Sequence, residues 1–131
     1  MTIELWMLLG SAGLLFVLLM MEATYTDLKM GARYSLSNRD QPKSEMGAFH
    51  GRLLRAIDNL KENLLLFAPL VLVLGQAGVH DQLTEAGAVT FLLARVAHAG
   101  TYVLGITVLR SLAWFAGIIG MGMMVYALLT L

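Results

Sequence analysis

Apolar residues fall in four long blocks separated by short polar stretches, and the lengths of those blocks point to membrane-crossing helices. The first block runs from Leu5 to Met21, interrupted only by Ser11 and small glycines, and its helix has room to continue past Tyr25 towards Arg33. Ser35–Glu45, with Asn38, Asp40 and Pro42, reads as an exposed connection. A second helix is expected to start near Met46–Phe49, with Ser44 as its candidate N-cap. Its apolar run, Leu64–Val79, is short for a crossing, so the polar turn Asn59–Asn63 must enter the membrane or lie at its edge. A brief loop, His80–Glu85, leads to a third segment, Ala86–Leu109, which Arg110–Ser111 separates from the last, Leu112–Leu131. The expectation is one all-α integral membrane domain over 1–131, a four-transmembrane-helix bundle. Its spans lie at approximately 5–25, 58–79, 86–109 and 112–131, with a connecting loop over approximately 34–46. In the last span Ala113, Ala116, Gly117 and Gly120 supply small residues at which helices can approach closely.

Composition supports that expectation. Hydrophobic residues make up 58% and charged residues 14% of the chain, against roughly 45–50% and about 25% in soluble domains. Four spans of about 20 residues use nearly the whole length and leave little for a soluble domain. Cysteine is absent, which excludes disulfides, thiolate nucleophiles and Cys-ligated metals. No Lys or Arg precedes Lys29, so the positive region of a cleavable signal is missing and the first segment is expected to be retained.

Charge placement then orients the chain. All nine Lys and Arg residues lie within Lys29–Lys61 or at Arg95 and Arg110, whereas Glu4, Asp81 and Glu85 mark the opposite ends. The positive-inside rule places the first and third connections in the cytoplasm and both termini outside. On this reading Arg55, Asn59 and Glu62 of the second helix, Arg95, His98 and Tyr102 of the third, and Arg110 before the fourth all approach one leaflet. Charges at such depth are costly and are kept mainly where they pair or bind something.

Two spacings organise those residues. Arg55, Asn59 and Glu62 fall at i, i+4, i+7 on one helix face, and Arg95, His98 and Tyr102 at i, i+3, i+7 on another, covering about 10 Å of axis. One reading is an internal ion-pair ladder, with Arg95 answering Glu62 across the bundle. The other starts from a surplus of charge, because Arg55, Arg95 and Arg110 face mainly Glu62, with Asp58 a further partner. Uncompensated buried charge is expensive, whereas spare guanidinium suits an anionic ligand gripped through carboxylates. His50, His80 and His98 lack metal-ligand spacing, so no metal is expected. There is no phosphate-binding Gly loop and no nucleophile elbow, and net charge is zero, so nothing points to nucleic acid. Ser111 reads as a helix N-cap, Trp6 and Trp114 as interfacial anchors, and the nine Met residues as packing.

The stretch Arg55-Ala56-Ile57-Asp58-Asn59-Leu60-Lys61-Glu62-Asn63, ending at Phe67, resembles the signature of the MAPEG family, membrane-associated proteins of eicosanoid and glutathione metabolism. Ala94-Arg95-Val96-Ala97-His98, then Tyr102 and Arg110-Ser111, resembles the third and fourth helices of its glutathione-using branch, which includes microsomal glutathione transferases and prostaglandin E synthase. The resemblance implies a left-handed bundle assembled as a homotrimer, with glutathione between neighbouring subunits as co-substrate and no metal. It implies glutathione binding by Arg33, Arg55, Asn59, Glu62, Arg95, His98 and Tyr102. Arg110 would stabilise the thiolate, with Ser111 as a hydrogen-bond donor to sulfur. Three departures stand out: Asp58 replaces a basic residue of some members, Leu66 replaces a frequent Pro with Pro69 following, and the Tyr102–Arg110 segment is one residue shorter than in the prostaglandin synthase.

The function so implied is a membrane-bound glutathione transferase or peroxidase acting on lipophilic electrophiles or lipid hydroperoxides drawn from membrane lipids. The alternative is a non-catalytic lipid-binding or scaffold protein of the same fold; a small transporter subunit is disfavoured for want of an inverted repeat. The compact form and short loops read as bacterial, which places the protein in a cell inner membrane with its site near the cytoplasmic leaflet.

Overall fold

In the structure, a computed structural model that describes residues 1–40 and 46–131, every long element is a helix. Helix α1 spans Ile3–Met30, α2 Ala32–Ser35, α3 Gly47–Ala77, α4 Gln82–Leu104 and α5 Thr107–Leu129. Four of these are long and apolar enough to cross a membrane, and the described residues include no strand. The candidate N-cap Ser44, with Pro42, lies outside the described residues.

Helix ends follow local chemistry. Thr2 caps α1 by accepting from the Leu5 N–H, and Gly31, at φ 85°, ends it. The helix therefore stops at Met30 instead of running on to Arg33, and Arg33 sits on the separate short helix α2, just before the stretch expected as the loop. Gly78 adopts the left-handed conformation that terminates α3. Asp81 caps α4 in a reciprocal capping box with Thr84, so that helix starts at Gln82, earlier than the expected span at 86.

The largest correction concerns the last two spans. The break expected at Arg110–Ser111 lies at Gly105–Ile106. Gly105 takes φ 79°, ψ 22°, and its N–H bonds the carbonyls of Thr101 and Tyr102. A left-handed glycine ends a helix more decisively than an arginine does. Arg110 and Ser111 consequently belong to the opening turns of α5, and Ser111 is not its N-cap: its hydroxyl donates back to the Thr107 carbonyl at 3.3 Å.

Helix α3, at 31 residues, is about 46 Å long, well beyond an apolar core of about 30 Å. It continues through Pro69. The turn from Asn59 to Asn63 is thus ordinary helix, in which the buried Asn63 side chain donates to the Asn59 carbonyl at 2.8 Å.

Packing divides into two apolar clusters. Near the α3–α4 loop, Phe67 stacks on Phe91 with centroids 3.9 Å apart, flanked by Val71, Leu74 and Met124. Towards the other end, Leu18, Leu53, Ile57, Leu60 and Ala99 join α1, α3 and α4. Helices α4 and α5 share the most extensive contact, because their backbones nearly touch: a Cβ on Gly87 would lie 2.6 Å from the Gly120 carbonyl oxygen, and the reverse distance is the same. Hydrogen bonds tie α1 at both ends. Buried Glu4 accepts from Thr84 at 2.5 Å, and Glu22 lies 2.9 Å from His50 Nε2 on α3.

Candidate functional site

Arg95 is the most telling residue of the set. It is 1% exposed, the largest fully buried side chain among the described residues. Its Nη1 donates to Asn59 Oδ1 of α3 at 3.1 Å, and its Nη2 to the Ala113 and Trp114 carbonyls of α5 at 3.3 and 3.1 Å. The guanidinium lies over the Phe91 ring, 5.5 Å from its centroid. Space for it is made by Gly117, where an added Cβ would sit 2.2 Å from Nη2. Arg95 is therefore a strut joining α3, α4 and α5. It does not answer Glu62, which is exposed and makes no ion pair among the described residues.

One turn further along α4, His98 is buried with its ring edge-on to Tyr102, centroids 5.5 Å apart. Tyr102 is the hub of the site. The Arg110 guanidinium of α5 lies 4.5 Å from its ring centroid, and that of Arg55 of α3 lies 5.9 Å from it. A phenol ring offers both cations its negative face, and neither cation has a carboxylate partner among the described residues. Beside this hub, His98, Arg110, Ser111, Trp114 and Phe115 line a pocket of about 210 Å³.

The structure thus brings Arg55, Tyr102, His98, Arg110 and Ser111 to one end of the bundle, with Asn59 and Arg95 directly behind. Glu62 lies on the outward face of α3 with Arg55 and Asp58, and Asp58 pairs there with Lys61 at 3.8 Å. Arg33 is not brought into this group: it is exposed on α2 and lines a separate cleft with Tyr34, Asn38, Arg39 and Asp40.

Sequence reasoning missed Trp114 and Phe115 as walls of the pocket. Trp114 was expected to be an interfacial anchor, yet its carbonyl receives Arg95 and its ring, edge-on to Phe115, faces the pocket. The signal was there in the spacing, since Ser111, Trp114 and Phe115 fall at i, i+3, i+4 on one face, but it is readable only once Arg110 and Ser111 are placed inside α5. Among the described residues no three His, Asp or Glu side chains gather as a metal set. A cationic, aromatic-walled pocket without a metal set can hold an anion and polarise it.

No curated protein and no solved structure matches the chain. A family model does match, over residues 4–130, and it is that of the MAPEG family. With four membrane-capable helices and a match over nearly its whole length, the chain is a multi-pass integral membrane protein and belongs to the MAPEG family.

Proposed function

We propose that this protein is a membrane-bound glutathione transferase or peroxidase, with Arg110 activating the thiol. The observation that carries the reading is the Arg110 guanidinium, set over the Tyr102 ring and lining a pocket while no carboxylate among the described residues neutralises it. A free thiol has a pKa of about 8.5 and reacts as the thiolate. Lowering that pKa by about two requires about 2.7 kcal/mol of preference for the anion, within reach of a guanidinium in a partly dry site. The thiolate sulfur would bond to an electrophilic carbon as its leaving group departs with the electron pair. With a lipid hydroperoxide, the sulfur would take the terminal oxygen and release the alcohol, and a second glutathione would complete the disulfide and release water.

Within this reading Arg55, Glu62, His98 and Tyr102 contact glutathione, Arg33 reaches it from a neighbouring copy because its own cleft is separate, and Ser111 donates to its sulfur. Arg95 and Asn59 act as positioning residues, because both terminal nitrogens of Arg95 are held by Asn59 Oδ1 and by α5 carbonyls. The exposed face of Arg55, Asp58 and Glu62 supports assembly as a homotrimer. Charges at membrane depth face protein rather than lipid, and a neighbouring copy would cover them. We place the site near the cytoplasmic leaflet of a cell inner membrane, with both termini outside, on the charge asymmetry alone.

The test is ultraviolet difference absorbance of detergent-purified protein titrated with glutathione, beside Arg110→Ala. A saturable thiolate band at neutral pH that disappears in the variant is the expected result. An equal band in both overturns Arg110 as activator. The commitment of Arg95 and Asn59 to the bundle favours a second reading, a non-catalytic scaffold of the same fold. It would lead if there were no band and heat protection came from lipid alone.

A further inference from the structure

Helix α1 buries the smallest share of its apolar stretch among the four long helices. Its buried residues are Glu4, Ser11, Leu18 and Thr26, a seam at near-heptad spacing that is mostly polar. Among the described residues it packs on α3 and α4 and makes no contact with α5. In lipid an apolar side chain gains little by leaving the bilayer for a neighbouring helix, so close approach and interhelical hydrogen bonds must hold such a seam. Close approach is supplied at Gly10, where an added Cβ would sit 2.9 Å from Leu92 Cδ2 on α4. Ser11 makes no bond across the seam, because its hydroxyl donates back to the Met7 carbonyl at 2.8 Å.

A bond that does cross lies at the end of the bundle remote from Tyr102. Glu4 is 1% exposed, and its Oε1 accepts from the Thr84 hydroxyl of α4 at 2.5 Å. That hydroxyl accepts in turn from the Asp81 N–H at 3.0 Å, so Glu4 is fastened to the capping box itself. The other oxygen, Oε2, is buried without a hydrogen-bond partner among the described residues. A buried acceptor left unmet is costly, the more so when it is charged. Facing it is His80 of the α3–α4 loop, whose Nδ1 stands 3.7 Å away on a ring that is 35% exposed. That distance is too long for a hydrogen bond and within reach of an ion pair. His80 is also the one side chain here that can carry positive charge: segments 1–11, 71–91 and 121–131, which build this end, are described throughout and contain no Lys or Arg. Asp81 has its carboxylate on the Leu83 and Thr84 N–H groups, and Glu85 is half-buried one turn into α4. Tyr126 of α5 is exposed, as are the Met1 amine and the Leu131 carboxylate, and residues 64–77 of α3 carry no titratable side chain.

We infer that His80 and Glu4 form a proton-operated clasp that fastens α1 to the α3–α4 loop, on the face of the bundle opposite the candidate site. A neutral imidazole offers Nδ1 as an acceptor or as its single donor, whereas the protonated ring donates from both nitrogens and brings a charge to the orphan oxygen. A closure of about 1 Å by the exposed ring turns the present separation into a charge-assisted hydrogen bond. Protons therefore favour the clasped form. It is held on the acid side of the imidazole titration, ordinarily about pH 6.5, and released as the pH rises through it. Neither residue lines the pocket beside Tyr102, so the clasp is independent of the transferase reading.

The experiment is hydrogen exchange, read by mass spectrometry, on the full-length protein in phosphatidylcholine nanodiscs without glutathione. It is run at about pH 5.5 and about pH 8, either side of the imidazole titration, and corrected for the intrinsic pH dependence of exchange. Amides of residues 5–11 are expected to be about tenfold better protected at the lower pH, the increment a hydrogen bond to a charged group typically supplies. His80→Gln should abolish the difference by losing protection at the lower pH, and His80→Lys, a permanent cation, should keep protection high at both. Glu85→Gln is the control and should preserve the wild-type ratio. Residues 113–121, packed on α4, report the integrity of the bundle and should exchange alike in every variant. Equal protection of residues 5–11 at the two pH values in the wild type overturns the clasp. So does a pH difference that survives His80→Gln, or one that Glu85→Gln removes.

Discussion

Arg95 and Arg110 lie on adjacent helices at the same end of the bundle, yet they do opposite things. Arg95 is sealed, with acceptors on two other helices and a glycine slot cut to its shape. Arg110 is half-exposed, rests on one aromatic face, and lines a pocket. A guanidinium whose two terminal nitrogens are both held by the fold, as Arg95 is although its Nε has no partner among the described residues, is part of the scaffold, whereas one with no acceptor among the described residues is available to a ligand. Hydrogen-bond accounting, more than residue type or depth, separates the two.

Substitutions sharpen that contrast. Arg95→Ala should be the most damaging, because it removes the bonds joining α4 to Asn59 and to the α5 carbonyls and opens a void beside Gly117. We expect a loss of about 3–5 kcal/mol in unfolding free energy, measured in mixed micelles. A loss below about 1 kcal/mol would break the distinction. Arg110→Ala should lower unfolding stability far less while returning the thiol pKa of bound glutathione to about 8.5, a change worth about 2.7 kcal/mol and read from the pH midpoint of the thiolate band. Gly117→Ala should fall next, at about 1–3 kcal/mol of stability, since the new methyl meets the Arg95 guanidinium inside van der Waals contact; a double-mutant cycle with Arg95→Ala should show the two effects to be coupled. Ser111→Ala should change stability by no more than about 0.5 kcal/mol, because its hydroxyl only back-bonds the Thr107 carbonyl. Any loss of turnover without loss of fold would then report contact with the sulfur.

The site itself was partly legible in the chain. The i, i+4, i+7 set on α3 and the i, i+3, i+7 set on α4 lie on single helix faces, a property of helical geometry that needs no partner. Pairing was not legible: the Arg95–Glu62 pair that one of the two readings drew is absent among the described residues, and Arg95 turns to Asn59 and to α5 carbonyls. Backbone carbonyls carry no sequence signature, so no spacing rule points to them. The α4–α5 boundary was legible at Gly105 and was misplaced because the polar pair Arg110–Ser111 is the more visible interruption in an apolar run. Shifting it five residues moved Ser111 from a cap to a pocket wall and brought Trp114 and Phe115 with it.

By itself the sequence determined four apolar helices, the clustering of their cations towards one end, and the helix faces on which charge lies. These are consequences of hydropathy and of 3.6 residues per turn, both local. Tertiary structure decided which arginine is buried and which is free. That outcome depends on how far α4 and α5 approach and how each is rotated, and the approach is set by Gly87 against Gly120 and by the notch at Gly117. Only when the backbones meet that closely do the Ala113 and Trp114 carbonyls come within reach of Arg95, leaving Arg110 over Tyr102 with no carboxylate partner among the described residues.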